Sequence, residues 1–204
     1  IGRIFTCNNI EFVLYAQSYN GFKNLMKLNY LESLHLKQED LLALKNEDLL
    51  ENSEDLICVV KSDQKDLRNS LIAKKFNFFK NSFLHFQRIY GKEKTYISLN
   101  NEIYFNEKDS REGMIVFKNL LKVCNDNVKL LQKLVYFNRF SYLKTEDKES
   151  YITLKRMLDE KFTLISQENI LTFEQVCETF PLKIIRDISI KNTINISYNC
   201  ALTI

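Results

Sequence analysis

Short apolar runs rich in β-branched and aromatic residues alternate along this chain with longer segments of helical spacing. Four runs, at residues 10–16, 56–60, 95–99 and 134–137, have the length and composition of buried strands. Between them, apolar residues recur at steps of three and four, the spacing of an amphipathic helix. This alternation predicts an α/β domain with a largely parallel sheet.

The strand signals stop near residue 165, and a helical segment is predicted for residues 166–204. Thr172 and Gln175 have the spacing of a capping box, and Pro181 suits the first turn of a following helix. The predicted helices carry three apolar stripes: Phe22, Leu25, Met26 and Tyr30; Tyr151, Leu154 and Leu158, after Thr145 as N-cap; and Ile184, Ile188, Ile194 and Tyr198.

Aromatic and basic residues interleave between residues 74 and 96. That mixture can stack bases above a groove that follows phosphates. The helical spacing of five aromatic residues favours a buried helix face instead: Phe76, Phe79, Phe83, Phe86 and Tyr90. The basic side chains of the segment remain the predicted contacts for nucleic acid: Lys74, Lys75, Lys80 and Arg88.

Charge is unevenly distributed, although the net charge of +3 is too small to predict nucleic-acid binding by itself. Residues 39–55 hold seven acids and one lysine, whereas residues 67–101 hold seven bases and one acid. Leucines interleave with the acids of the first region, which favours a solvated helix face over a pair of catalytic carboxylates.

Several kinds of site are excluded by composition and spacing. No two of the four glycines lie closer than 19 residues, so a glycine-rich phosphate loop is ruled out. The five cysteines form no C-x-x-C pair and are expected to be buried thiols, and neither His35 nor His85 has a partner at metal-ligand spacing. No apolar run reaches membrane-spanning length, and the first residues have neither the charged end nor the apolar stretch of a signal peptide, so a cytoplasmic protein with no membrane partner is expected.

Several stretches, read in order, carry a family resemblance. They are IGRIF at residues 1–5, FVLYA at 12–16, GFKNLMKL at 21–28, DLICVV at 55–60, IYGKEKTYISL at 89–99 and LVYFNRFSYLKTED at 134–147. The terminal Asn192, Thr193 and Cys200 extend the pattern. Together these stretches resemble the PHP (polymerase and histidinol phosphatase) domain of the bacterial DNA polymerase III alpha subunit.

The resemblance implies part of a distorted (βα)7 barrel over residues 1–165, beginning near its third strand, with a helical tail over residues 166–204 that leads toward the polymerase core. It also implies a lost metal site. Ile4 stands at the family's glutamate position, Ser62 at its cysteine, and Arg139 and Ser141 at its aspartate and histidine, which leaves Asn138. A cation such as Arg139 would repel a metal ion, so no cofactor is expected in this chain.

The function that the resemblance implies is a structural and assembly domain of a replicative DNA polymerase. The parent chain would be a DNA-directed DNA polymerase that uses Mg²⁺. The expected partners are the remainder of that chain, replisome subunits such as an exonuclease or a clamp, and DNA. Two alternatives stay open: a metal-dependent PHP phosphoesterase or 3′–5′ exonuclease, and a non-specific nucleic-acid-binding module.

Overall fold

The computed structural model describes residues 1–39, 43–100, 110–125, 128–137, 146, 148–158, 173–180 and 182–200. Its strands are β1 (Gly2–Cys7), β2 (Ile10–Ala16), β3 (Leu56–Val60), β4 (Thr95–Leu99) and β5 (Leu134–Tyr136). Its helices are α1 (Tyr19–Glu39), α2 (Asn46–Glu51), α3 (Lys65–Ile72), α4 (Phe76–Tyr90), α5 (Ser110–Asn125), α6 (Val128–Leu131), α7 (Lys148–Leu158), α8 (Phe173–Thr179) and α9 (Lys183–Asn199). Three of the predicted strands are confirmed with the same bounds, and β5 is one residue shorter than predicted.

The strands form one open, mixed sheet in the order β1-β2-β3-β4-β5. β2 pairs with both β1 and β3 in antiparallel fashion, whereas β3, β4 and β5 are parallel. The predicted fold, part of a (βα)7 barrel, is therefore wrong, because β1 and β5 lie at opposite edges and the sheet does not close. The prediction of a largely parallel sheet is also wrong for β1 and β2, which a two-residue turn joins as a hairpin.

Side chains of α9, rather than another strand, cover the outer edge of β5. The Asn192 amide donates to the carbonyl oxygens of Gln132 and Leu134 at 2.8 and 2.7 Å. The Tyr136 backbone N–H donates to the Thr193 hydroxyl oxygen at 3.0 Å, and that hydroxyl lies 3.1 Å from the Tyr136 carbonyl oxygen. Because a strand edge must satisfy its backbone groups, these contacts are the physical reason that pairing stops at β5.

The β1–β2 hairpin turns through Asn8 and Asn9, whose φ angles are 50° and 61°. Cys7 and Ile10 are paired on either side of them. Two consecutive left-handed residues define a type I′ turn, and asparagine tolerates that conformation better than most residues. The turn places Phe5 and Phe12 on the same face of the sheet, with ring centroids 6.3 Å apart.

α1 is fastened to the turn that precedes β3. A Cβ atom on Gly21 would lie 2.1 Å from the Asp55 carbonyl oxygen, so only glycine allows this approach. The Asn24 amide donates to the Glu54 carbonyl oxygen at 3.1 Å, and the Ser18 hydroxyl donates to the Asp55 carboxylate at 2.6 Å. The GFKNLMKL stretch thus fixes the helix against the sheet through its glycine and asparagine.

The main core lies between the sheet and α1, α3, α4 and α5. The aromatic stripe of α4 faces this core, as predicted: Phe79, Phe83, Phe86 and Tyr90 are buried, and Phe76 is partly buried against the same cluster. Phe86 reaches β2, where its ring centroid lies 4.7 Å from that of Phe12. A second, smaller cluster on the other face of the sheet includes Ile196 of α9.

The buried face of α1 differs from the predicted stripe. Met26 and Tyr30 are exposed, whereas the buried positions follow a helical spacing: Gly21, Asn24, Leu25, Leu28, Glu32 and His35. Glu32 is buried because its carboxylate pairs with the Arg3 guanidinium at 3.0 Å. Because three of the buried residues of α1 are polar (Asn24, Glu32 and His35), a search for apolar residues alone does not identify this face.

The predicted stripes of α7 and α9 are also wrong at several positions. Leu154 of α7 is exposed, and so are Ile184, Ile194 and Tyr198 of α9. The buried positions of α9 are Ile185, Ser189 and Ile196, flanked by the half-buried Asn192 and Thr193. Thr145, Thr172 and Pro181 lie outside the described residues.

The aromatic stripe of α4 gives a paired stability test. Phe83→Ala removes a side chain that is 1% exposed, and we expect a loss of about 3–5 kcal/mol in the free energy of unfolding. Phe78→Ala, on the same helix but 48% exposed, is the control and should cost less than about 1 kcal/mol. Urea unfolding followed by circular dichroism measures both. Equal losses would contradict the assignment of the buried face.

Candidate functional site

The structure describes two of the positions at which the resemblance places metal ligands. Ile4 lies in β1 with 49% of its surface exposed, and its hydrocarbon side chain offers no ligand atom. Ser62 is fully buried just after β3, where its hydroxyl donates to the Ser98 carbonyl oxygen and its N–H donates to the Ser98 hydroxyl at 3.1 Å. Asn138, Arg139 and Ser141 lie outside the described residues.

Polar side chains gather at the carboxyl ends of β3 and β4, the edge where open α/β sheets usually bind ligands. The Asn100 amide donates to Asp63 Oδ2 at 3.2 Å, and Gln64 Oε1 accepts from the Asp66 N–H at 3.0 Å. Asp63 Oδ1 and Gln64 Nε2 are buried without a hydrogen-bond partner among the described residues. One carboxylate does not make a multinuclear metal site. Within the described ranges, no three His, Cys, Asp or Glu side chains are grouped as a metal site would require.

Folding brings a cysteine and a histidine to a shared partner. Asn46 Oδ1 lies 3.4 Å from Cys7 Sγ, 3.0 Å from His85 Nε2 and 3.1 Å from the Asn8 amide nitrogen. The sequence places Cys7 and His85 far apart, so no local motif could have revealed this cluster. The other histidine, His35, is not part of this cluster. Its Nδ1 lies 3.0 Å from the Ala43 carbonyl oxygen.

This cluster does not have the electrostatics of a nucleophilic site. Burial, together with the charges of the nearby Asp48 and Glu47 carboxylates, raises the pKa of the Cys7 thiol from 9.0 to about 11. Burial, followed by the charge of Arg88, lowers the pKa of His85. A neutral thiol beside a neutral imidazole hydrogen-bonds to Asn46 but does not form the thiolate that attacks substrates.

The four predicted nucleic-acid contacts are not brought together in one place. Lys74 and Lys75 precede α4 and are exposed, Lys80 is half-buried in its second turn, and Arg88 is exposed near its C-terminal end. At 1.5 Å per residue, about 20 Å of helix separates Lys75 from Arg88. Their role in nucleic-acid binding stays a prediction.

A groove opens at the amino ends of β4 and β5. It has a volume of about 780 Å³ and lies between the last turn of α4, the two strand starts and α9. We call it the amino-end groove. Its lining is Leu84, Gln87, Lys92, Glu93, Tyr96, Leu130, Gln132, Lys133, Ile188, Lys191, Asn192 and Asn195.

The groove is basic. Lys92, Lys133 and Lys191 line it against a single acid, Glu93. Lys133 Nζ lies 2.9 Å from Glu93 and 5.4 Å from the ring centroid of Tyr96. The hydrogen bond and charge of Lys133 lower the pKa of Glu93, and burial, aided by the Glu93 charge, raises the pKa of Tyr96.

Sequence reasoning missed this groove because its cations come from three distant segments. Lys92 follows α4, Lys133 precedes β5, and Lys191 lies in α9. The positive run of residues 67–101 includes only the first of them.

Comparisons with known proteins add no assignment: no described protein family matches this chain, and no curated protein matches it. In the part of the chain that the structure describes, no helix combines the length and the apolar character needed to cross a bilayer.

The pKa of Cys7 gives a test of this cluster. At about pH 8, a thiol with a pKa of about 11 holds about 100-fold less thiolate than one with a pKa of 9.0, and only the thiolate reacts with iodoacetamide. We therefore expect Cys7 to be alkylated at least 100-fold more slowly in the folded protein than in denaturant, as measured by mass spectrometry. The half-buried Cys200 is the internal comparison. Preferential labelling of folded Cys7 would show an activated thiol instead.

Proposed function

We propose that this chain is a structural and assembly unit of a replicative DNA polymerase, derived from the PHP domain of the polymerase III alpha subunit. In this proposal it does not hydrolyse phosphoesters itself. The parent chain carries out template-directed nucleotidyl transfer with Mg²⁺. The remainder of that chain and replisome subunits such as an exonuclease or a clamp are its partners, and it acts in the cytoplasm.

One observation carries the proposal: the motif residues that the chain shares with the family hold the fold together. Gly21 and Asn24 fasten α1 to the turn before β3. Asn192 and Thr193 satisfy the outer edge of β5. Such contacts are what a structural role of these residues requires.

The positions at which the family would hold metal ions have a different character. Ile4 is a hydrocarbon, and the Ser62 hydroxyl is already engaged with Ser98. Carboxylate, imidazole and thiolate groups are the ligands that catalytic metals require. The contrast between kept scaffold residues and replaced ligand residues favours a structural role over the phosphoesterase alternative.

The outer edge of β1 offers a surface for assembly. In the hairpin register, Gly2 and Ile4 turn their backbone N–H and C=O groups away from β2. On the outer edge of β1, the pairing that the described residues show is a single isolated bridge between Cys7 and Leu44. Ile1 and Ile4 are 57% and 49% exposed there. An open strand edge with apolar side chains suits a partner that adds backbone hydrogen bonds.

The direct experiment is to tag the chain in its own cells and purify it under native conditions. We expect primer extension on a DNA template, dependent on Mg²⁺, to copurify with it. A phosphodiesterase activity that needs Mn²⁺ or Zn²⁺ and is lost in Asp63→Asn would instead support the phosphoesterase alternative. Absence of primer extension from the native preparation would contradict the proposal.

A second measurement tests the structural role of the shared residues. Asn24→Ala leaves the Glu54 carbonyl without its donor, which costs about 1–3 kcal/mol and lowers the Tm by several degrees. Met26→Ala, at a half-exposed position of the same helix, is the control. We expect Asn24→Ala to lower the temperature at which primer extension is lost and to leave the specific activity at low temperature unchanged. A lower activity at an unchanged Tm would indicate a role in catalysis or binding.

A further inference from the structure

We infer that the amino-end groove binds single-stranded nucleic acid through contacts to the phosphate backbone of the nucleic acid. The inference goes beyond the proposed structural role and does not depend on the polymerase assignment. It also places the contact surface away from Lys74, Lys75 and Lys80, at the opposite end of α4.

The cations of the groove converge from three elements. Lys92 reaches it from the turn after α4, Lys133 from the start of β5 and Lys191 from α9. Among the described residues, neither Lys92 nor Lys191 has a carboxylate within ion-pair distance. Unpaired cations around one concave surface attract a polyanion and release its counterions.

Lys133 has an exchangeable partner. Its side chain is 15% exposed, whereas the Glu93 side chain that it pairs with is 91% exposed. A surface carboxylate of this kind contributes little to stability. A phosphate group could therefore replace Glu93 at the Lys133 ammonium without loss of a buried contact. Glu93 then acts as a competitor of the ligand, and its removal should strengthen binding.

The remaining lining residues favour nucleic acid over an acidic peptide. Tyr96 presents a half-buried aromatic ring inside the groove, and base stacking on aromatic rings is the usual second component of single-strand binding. The side-chain amides of Gln87, Gln132 and Asn195 make no hydrogen bond to another described residue. Such amides can donate to and accept from base edges.

The test compares two triple variants that remove the same charge. One replaces Lys92, Lys133 and Lys191 with Gln, and the other replaces Lys74, Lys75 and Lys80 with Gln. Binding of a fluorescein-labelled oligothymidylate to the full chain is followed by anisotropy across a range of salt concentrations. Each lost phosphate contact weakens single-strand binding about fivefold at about 0.1 M salt. We therefore expect the groove variant to raise Kd about 100-fold and the α4 variant to raise it much less.

A gain-of-affinity variant completes the design. Glu93→Gln should lower Kd about fivefold, because it frees Lys133. Glu112→Gln is the matched control, since it also releases a basic partner, Arg68, but on helices that do not line the groove. The Tm of each variant shows whether it is folded.

Four outcomes would overturn the inference. They are no oligothymidylate binding by the unmodified chain, equal losses in both triple variants, a larger loss in the α4 variant, and equal competition by polyglutamate of matched charge. The last outcome would identify the groove as a site for acidic peptides.

Discussion

The structure depends on the hydrogen bonds that cover the outer edge of β5, the last strand of the sheet. The exposed backbone groups of β5 are satisfied by two side chains of α9, Asn192 and Thr193, rather than by another strand. These contacts join residues almost sixty positions apart in the sequence. Without these hydrogen bonds, the edge of β5 would have unpaired N–H and C=O groups, which can pair with a strand of another chain. By occupying that edge, α9 ends the five-stranded sheet that the described residues form.

Three features follow from this arrangement. The helix covers the second face of the sheet, where Ile196 packs with Val135 and Ile57. It also forms one wall of the amino-end groove through Lys191 and Asn195, so the groove exists only while α9 is docked. Finally, β1 lies at the opposite edge of the sheet, where Gly2 and Ile4 turn their backbone groups away from β2.

The sequence predicted the strands and helices better than it predicted how they pack together. Runs of β-branched residues identified four strands, and the aromatic spacing of α4 identified its buried face, because both signals depend on apolar residues that are close in the sequence. The predicted buried faces of α1 and α9 were wrong because Glu32 and Thr193, which are polar, face the sheet and bind Arg3 and Tyr136 on distant strands. The prediction of a barrel was wrong for a similar reason: the sheet ends at β5 because side chains of α9, distant in the sequence, bind the outer edge of that strand. The shared contact of Cys7 and His85 with Asn46, and the convergence of lysines in the groove, likewise have no local signal.

The most direct test of this account is hydrogen exchange at the Tyr136 amide, which donates to the Thr193 hydroxyl. In the unmodified chain this amide should exchange as slowly as the amides of the central strand β3. Thr193→Val keeps the shape of the side chain but removes the acceptor, so the Tyr136 amide should exchange at least about tenfold faster while β3 is unchanged. An unprotected Tyr136 amide in the unmodified chain, or one that Thr193→Val does not affect, would contradict the claim that α9 completes the sheet.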